Sequence, residues 1–191
     1  MTLSHTTYNL LKFLKRITLF LAFALLSSQA FAQVNVFVLK AAYLEKFTRF
    51  VTWPEESIAN NPEAPFVIGV IGRTPLAENL EQIYSTQKIN NKKVEIRELS
   101  NLYEIEGVQI LFIAETERKN LQNILTLTKN LPVLTISDAP NFGDKGVLIN
   151  FYEESNKLRF EINETAVLQS PLQMSFYLLN SAKIVNPVEK K

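Results

Sequence analysis

The run Phe66-Val67-Ile68-Gly69-Val70-Ile71-Gly72, followed by Arg73-Thr74-Pro75, decides the architecture. Seven consecutive apolar or glycine residues rich in β-branched side chains read as a strand covered on both faces, the pattern of a parallel sheet. Thr74 stands where an N-cap belongs and Pro75 at a first helical position. Leu76, Leu80, Ile83 and Tyr84 then repeat at helical spacing, so a helix packs back onto that strand.

The pattern recurs downstream. Val94 to Leu99 alternates and reads as a half-buried or edge strand, with a turn at Asn90-Asn91 before it. Leu102 and Ile105 fit a short helix closed by Gly107. Val108-Gln109-Ile110-Leu111-Phe112-Ile113-Ala114 is a second buried strand, and the following helix should turn Leu121, Ile124, Leu125 and Leu127 inward. Leu131 to Asp138 supplies another strand, and 139–146 is a loop dense in turn residues. Val147 to Tyr152 and Lys157 to Asn163 flank the polar Glu153-Glu154-Ser155-Asn156, which predicts an antiparallel hairpin. Asn163 to Gln169 and Leu172 to Val185 read as helices, the second lined by Leu172, Phe176, Leu179 and Ile184. Strands alternating with helices predict an α/β domain: a compact three-layer sandwich around a mostly parallel sheet, with the hairpin near the C-terminus.

Upstream, Val36, Leu39, Tyr43, Phe47 and Phe50 share one helical face, while Lys40, Glu45, Lys46 and Arg49 fall on the other. Trp53-Pro54 ends that helix, because a proline ring disfavours helical backbone in the residue before it. Before it, Lys12, Lys15 and Arg16 precede the apolar stretch 17–26, and Ala30-Phe31-Ala32 forms a small-residue cleavage pattern. Residues 1–32 therefore read as a secretory signal peptide cut between Ala32 and Gln33, residues 33–187 as one domain and residues 188–191 as a tail. No cysteine follows the apolar stretch to carry a lipid anchor. The mature chain is expected in the periplasm, without stable membrane insertion.

Loss of residues 1–32 removes three of the 20 Lys and Arg and none of the 19 Asp and Glu, leaving 17 against 19 and a net charge near −2. With no basic block, the electrostatic case for a nucleic-acid partner is absent. The only histidine is His5, and there is no cysteine anywhere. The mature chain thus lacks imidazole and thiol, which removes the usual zinc sites, Ser-His-Asp triads, Cys-His dyads and haem ligation. No catalytic residues, metal ligands or cofactor site are assigned. Gly69 and Gly72 fall short of a glycine-rich phosphate fingerprint. Ser137-Asp138 with Asn141 and Lys145 sits at a strand end, where a Ser-Lys arrangement is chemically conceivable but ordinary turn chemistry suffices.

The runs Leu39-Lys40-Ala41-Ala42-Tyr43-Leu44, Lys46-Phe47, Phe50-Val51 and Trp53-Pro54 resemble the opening signature of the YfiR-like family of periplasmic regulatory proteins. Later segments agree in order: Pro132 to Asp138, Phe142, Gly146, Ile149-Asn150-Phe151, Leu158 to Asn163, and Ser175 to Val185. The resemblance implies a compact three-layer α/β fold and an exported, non-catalytic regulator. It also implies homodimerisation and a membrane-anchored diguanylate cyclase or similar sensor as partner, repressed through its periplasmic part in cyclic-di-GMP signalling. Relatives often carry disulfides, so the absence of cysteine here excludes thiol-based redox control. The candidate partner-binding residues are Lys46 and Arg49 on the first helix, Trp53 at its exit, and Arg159 and Glu161 on the hairpin's polar face. The alternative is a periplasmic small-ligand sensor or solute-binding module, and an enzyme working with carboxylates alone ranks last.

Overall fold

A computed structural model describes residues 35–188. The signal segment, its cleavage site, His5 and the last residues of the tail lie outside the described residues. The first helix, α1, spans Val36–Thr48 and leads through the short strand β1 (Val51–Thr52) into a polar loop with a 3-10 turn at Ile58–Asn60. Then follow β2 (Phe66–Ile71), α2 (Leu76–Tyr84), β3 (Lys88–Ile89), β4 (Lys92–Leu99), a 3-10 turn at Leu102–Ile105 and β5 (Ile110–Ile113). A second 3-10 turn at Glu115–Glu117 precedes α3 (Leu121–Thr128) and β6 (Leu134–Ser137). The C-terminal part comprises β7 (Ile149–Glu154), β8 (Lys157–Asn163), α4 (Glu164–Leu168), β9 (Gln173–Met174), α5 (Phe176–Asn180) and β10 (Lys183–Val185).

Eight strands form one sheet in the order β10-β8-β7-β6-β5-β2-β4-β3. The five strands β4-β2-β5-β6-β7 are parallel throughout, and β10 runs parallel to β8. The hairpins β7–β8 and β3–β4 are antiparallel, and a separate pair joins β1 to β9. The mostly parallel sheet with a C-terminal hairpin is therefore as expected from sequence.

Alternation along the buried strands divides the core in two. Phe66, Ile68 and Val70 of β2, with Ile110 and Phe112 of β5, face α1, α2 and the C-terminal helices. Val67 and Ile71, with Leu111 and Ile113, face α3 and the loop carrying Phe142. On the first face Phe47 of α1 stacks on Phe151 at 5.8 Å and meets Phe160 edge-on at 5.0 Å, with Tyr43 beside all three rings. Such pairs add roughly 0.5–1.5 kcal/mol each beyond area burial.

Both hairpins turn on two residues. Asn90-Asn91 and Ser155-Asn156 all have positive φ, between 49° and 63°, which marks turns of type I′. The β7–β8 connection is thus shorter than the four polar residues suggested, and Glu154 pairs directly with Lys157.

Four local expectations are corrected. Helix α2 starts one residue later than predicted: Pro75 occupies the cap position, and Thr74 Oγ1 accepts from Leu76 N–H at 3.2 Å. Leu127 is half exposed, because it lies off the face on which Leu121 and Ile124, buried as expected, and Thr128 turn inward. Lys40, placed by periodicity on the polar side of α1, is buried. The single helix expected over Leu172 to Val185 is replaced by β9, α5 and β10, and Phe176 is 71 % exposed. Gln173 and Met174 pair with β1, while Lys183 to Val185 pair with β8. These partners are remote in sequence, and no local period encodes them.

Candidate functional site

An open parallel sheet offers ligands a crevice where connections leave adjacent strands toward opposite faces. Here that point lies between β2, whose connection leads to α2, and β5, whose connection leads to α3 on the other face. Between β2 and β5 the chain closes on itself, beside a cleft of about 300 Å³ over the ends of β2 and β4. Gly72 adopts φ +88°, and a Cβ there would stand 2.6 Å from Thr116 Oγ1 and 2.9 Å from Glu117 Cγ. Arg73 N–H donates to Thr116 Oγ1 at 2.9 Å. Gly72 thus serves a close turn against the Thr116 loop.

At the end of β6 the Ser137 hydroxyl donates to Ile113 O at 2.7 Å and accepts from Ala139 N–H at 3.1 Å. Both contacts are to backbone, and the serine is fully buried. Asp138 receives the ammonium of Lys40, which crosses from α1 and explains why that lysine tolerates burial. Lys145 is exposed and makes no ion pair among the described residues. Ser137, Asp138 and Lys145 therefore do not converge on one reacting centre; the group ties α1 and β5 to the end of β6.

The partner-binding candidates separate into exposed and buried groups. Lys46 is exposed on α1 and Arg49 just past its end, and Arg49 pairs with Glu45 one turn earlier at 2.6 Å. Trp53 is buried: its indole N–H donates to Pro132 O at 3.0 Å, and its ring meets Phe66 edge-on at 6.0 Å. Its ring belongs to the core, which corrects its expectation as a surface contact. Arg159 is exposed on β8, 3.9 Å from Glu154. Tyr43 and Phe47 of α1 cover one face of β8 and Arg159 projects from the other, so Lys46 and Arg49 do not share a surface with it.

Glu161 is likewise corrected as a surface contact, since it is only 6 % exposed. Its carboxylate accepts from Asn150 Nδ2 at 3.2 Å and from Lys183 Nζ at 3.2 Å. The Glu161 carboxylate, first by this hydrogen bond and then by its charge, holds the Lys183 ammonium above the usual lysine pKa. A Cβ at residue 143 would stand 2.5 Å from Glu161 Oε1, so Gly143 lets the loop close over the carboxylate. Asn163 Nδ2 donates to Gly143 O at 2.8 Å, while Asn150 Oδ1 is buried without a partner among the described residues. Sequence alternation signalled the polar face of β8. The partner Lys183 was hidden, because it lies on a strand that reads locally as helix.

Among the described residues no group of three or more His, Cys, Asp or Glu could hold a metal, and no helix is long and apolar enough to cross a membrane. The geometry offers surfaces and grooves: a cleft of about 370 Å³ beside α3 and α4, and one of about 330 Å³ at the outer edge of β8. No curated protein matches the chain. A family model described as YfiR/HmsC-like matches residues 37–183, from the start of α1 into β10. With most of its length matched by that model and every strand of the sheet inside or overlapping the match, the chain belongs to the YfiR/HmsC-like family.

Proposed function

We propose that this protein is an exported, non-catalytic regulator that binds the periplasmic part of a membrane diguanylate cyclase and represses it. The family match over residues 37–183 carries the reading. The absence of histidine and cysteine from residues 33–191 supports it, as does the use of Ser137 and Asp138 in structural contacts. A regulator without its own chemistry acts by differential binding, favouring the inactive state of its target. Moving such a switch almost completely takes about 5.5 kcal/mol of preference, which calls for a protein interface of substantial size. Lys46, Arg49 and Arg159 are the exposed cations retained as contact candidates.

Export and repression are tested together in cells. The mature chain should be recovered from the periplasmic fraction with Gln33 as its first residue, and deletion of the gene should raise cyclic-di-GMP. Unchanged cyclic-di-GMP, with no membrane cyclase captured by the tagged protein, contradicts the reading.

One observation favours a second reading, a small-ligand sensor. The cleft beside α3 is floored by Leu125, Val133 and Leu148 and rimmed by Lys129 and Lys145, with no carboxylate in its lining. That combination suits a small amphipathic anion. Calorimetric titration with a panel of aromatic carboxylates distinguishes the readings, since only the sensor requires saturable binding there.

A further inference from the structure

The sheet ends on an incompletely covered strand. β8 is seven residues long, but β10 pairs with it only from Glu161 to Asn163. Lys157 to Phe160 pair with β7 on one side and, among the described residues, have no strand on the other. Around a two-residue turn the flanking residues, here Glu154 and Lys157, form a hydrogen-bonded pair, and such pairs then alternate along the hairpin. The bond from Asn163 N–H to Leu148 O, at 3.1 Å, keeps the same alternation beyond the end of the ladder. Residues 157, 159 and 161 therefore direct their backbone groups to β7, while Leu158 and Phe160 direct theirs outward. Pairing with β10 uses the Phe160 carbonyl. The N–H and C=O of Leu158 and the N–H of Phe160 remain at an open edge, about four residues or roughly 13 Å long.

This edge carries a groove. Tyr43 and Phe160 line it on the α1 face, Tyr152, Glu154, Arg159 and Lys183 on the other, and Ser181 closes it where the chain enters β10. Natural sheets guard such edges with charged side chains, proline, bulges or a covering element, and here the guard is the charge of Lys157 and Arg159. Residues 157–160 contain no proline, and every one is in register with β7.

We propose that this open edge of β8 takes an extended segment of the partner protein as an added strand, with apolar side chains on the α1 face alternating with carboxylates on the Arg159 face. The inference rests on the regulator reading and adds where and how the partner is held. Charge decides the occupant. Lys157 has no ion pair among the described residues, the Arg159 side chain is 54 % exposed and 3.9 Å from Glu154, and Lys183, next along the same face, is already held by Glu161 at 3.2 Å but is itself 59 % exposed. A carboxylate on an incoming strand would stand between Arg159 and Lys183. A second copy of this chain is disfavoured. Only Leu158 and Phe160 bond outward, so a two-fold pairing of two β8 edges is centred on residue 158 or 159. The first sets Lys157 against Arg159 of the other copy, and the second sets the two Arg159 side chains opposite each other. Like charges directly opposite destabilise a strand pair.

The edge is tested with a short peptide alternating valine and glutamate, and one with lysine in place of glutamate, added to the mature protein. The readout is amide hydrogen exchange at Leu158 and Phe160. The glutamate peptide should slow both amides about tenfold or more at saturation, and the lysine peptide should not. Leu158→Pro removes an outward N–H that β7 does not use, so the fold survives and Phe160 loses its protection. Leu158→Ala trims the same packing but keeps the N–H, and should retain it. Arg159→Glu should reverse the preference between peptides. No slowing by either peptide overturns the inference, and equal slowing by both overturns the acidic partner. The full chain is then titrated with the periplasmic domain of a membrane diguanylate cyclase. Equal binding by wild type and Leu158→Pro sinks the edge while leaving the regulator reading intact. Peptide protection without any cyclase binding sinks the regulator reading and leaves the edge standing.

Discussion

Phe47 is 1 % exposed, with Tyr43, Phe151 and Phe160 around it. Its truncation should lower the unfolding free energy in denaturant by about 3–5 kcal/mol, the usual loss for a buried phenylalanine; a loss under about 1 kcal/mol contradicts a core role. Tyr84 gives a pH signature. Its hydroxyl donates to Ala41 O at 2.9 Å, and burial, aided by the Glu45 charge, raises the phenol above its ordinary value near 10. Above about pH 10 the unfolded tyrosine ionises while the folded one keeps its proton, so the folded state binds more protons and stability falls as pH rises. Tyr84→Phe should flatten that decline in melting temperature, at a loss of about 1 kcal/mol near neutral pH from the missing hydrogen bond. At this scale the sequence was partly legible. Periodicity identified Phe47 as core, but it put Lys40 on the polar side, because the carboxylate that makes its burial tolerable lies 98 residues away. Trp53-Pro54 was expected to end the first helix, but α1 already stops at Thr48 and Val51–Thr52 pairs with β9, and the commitment of Trp53 to Pro132 was not legible either.

Elements were legible where their own residues fix them. β2, β5 and β6 are continuous apolar runs buried on every residue, a pattern that survives without knowledge of neighbours. The segment after Leu172 was not legible, since spacing by three and four fits a helix while β1 and β8 draw its two ends into strands. Long-range pairing overrode local period there. The turn Ser155-Asn156 supplies an element-scale prediction. Both residues hold positive φ, at 52° and 58°, where L-residues other than asparagine and aspartate are strained. Ser155→Asn with Asn156→Gly should stabilise the hairpin by up to about 1 kcal/mol, read as a rise in melting temperature. A fall would mean that these side chains make contacts that the turn needs.

For the whole molecule, stability rests on two apolar cores, one on each face of the sheet, with no covalent staple. The unfolding midpoint should therefore be the same with and without dithiothreitol, in contrast with a disulfide-bearing relative; a reproducible shift would show that the source of stability is misassigned. The α/β layering and hairpin were readable from the order of elements. The place of the exposed contacts was not, because β8's open edge depends on where β10 stops. The central claim is that this chain acts by holding a cyclase in its inactive state. Its most direct test is the diguanylate cyclase activity of a purified membrane cyclase, reconstituted with its periplasmic domain accessible, as the mature protein is titrated in. A saturable fall in cyclic-di-GMP synthesis that tracks binding to that domain is expected. Unchanged synthesis at saturating protein, or binding without any fall, would contradict it.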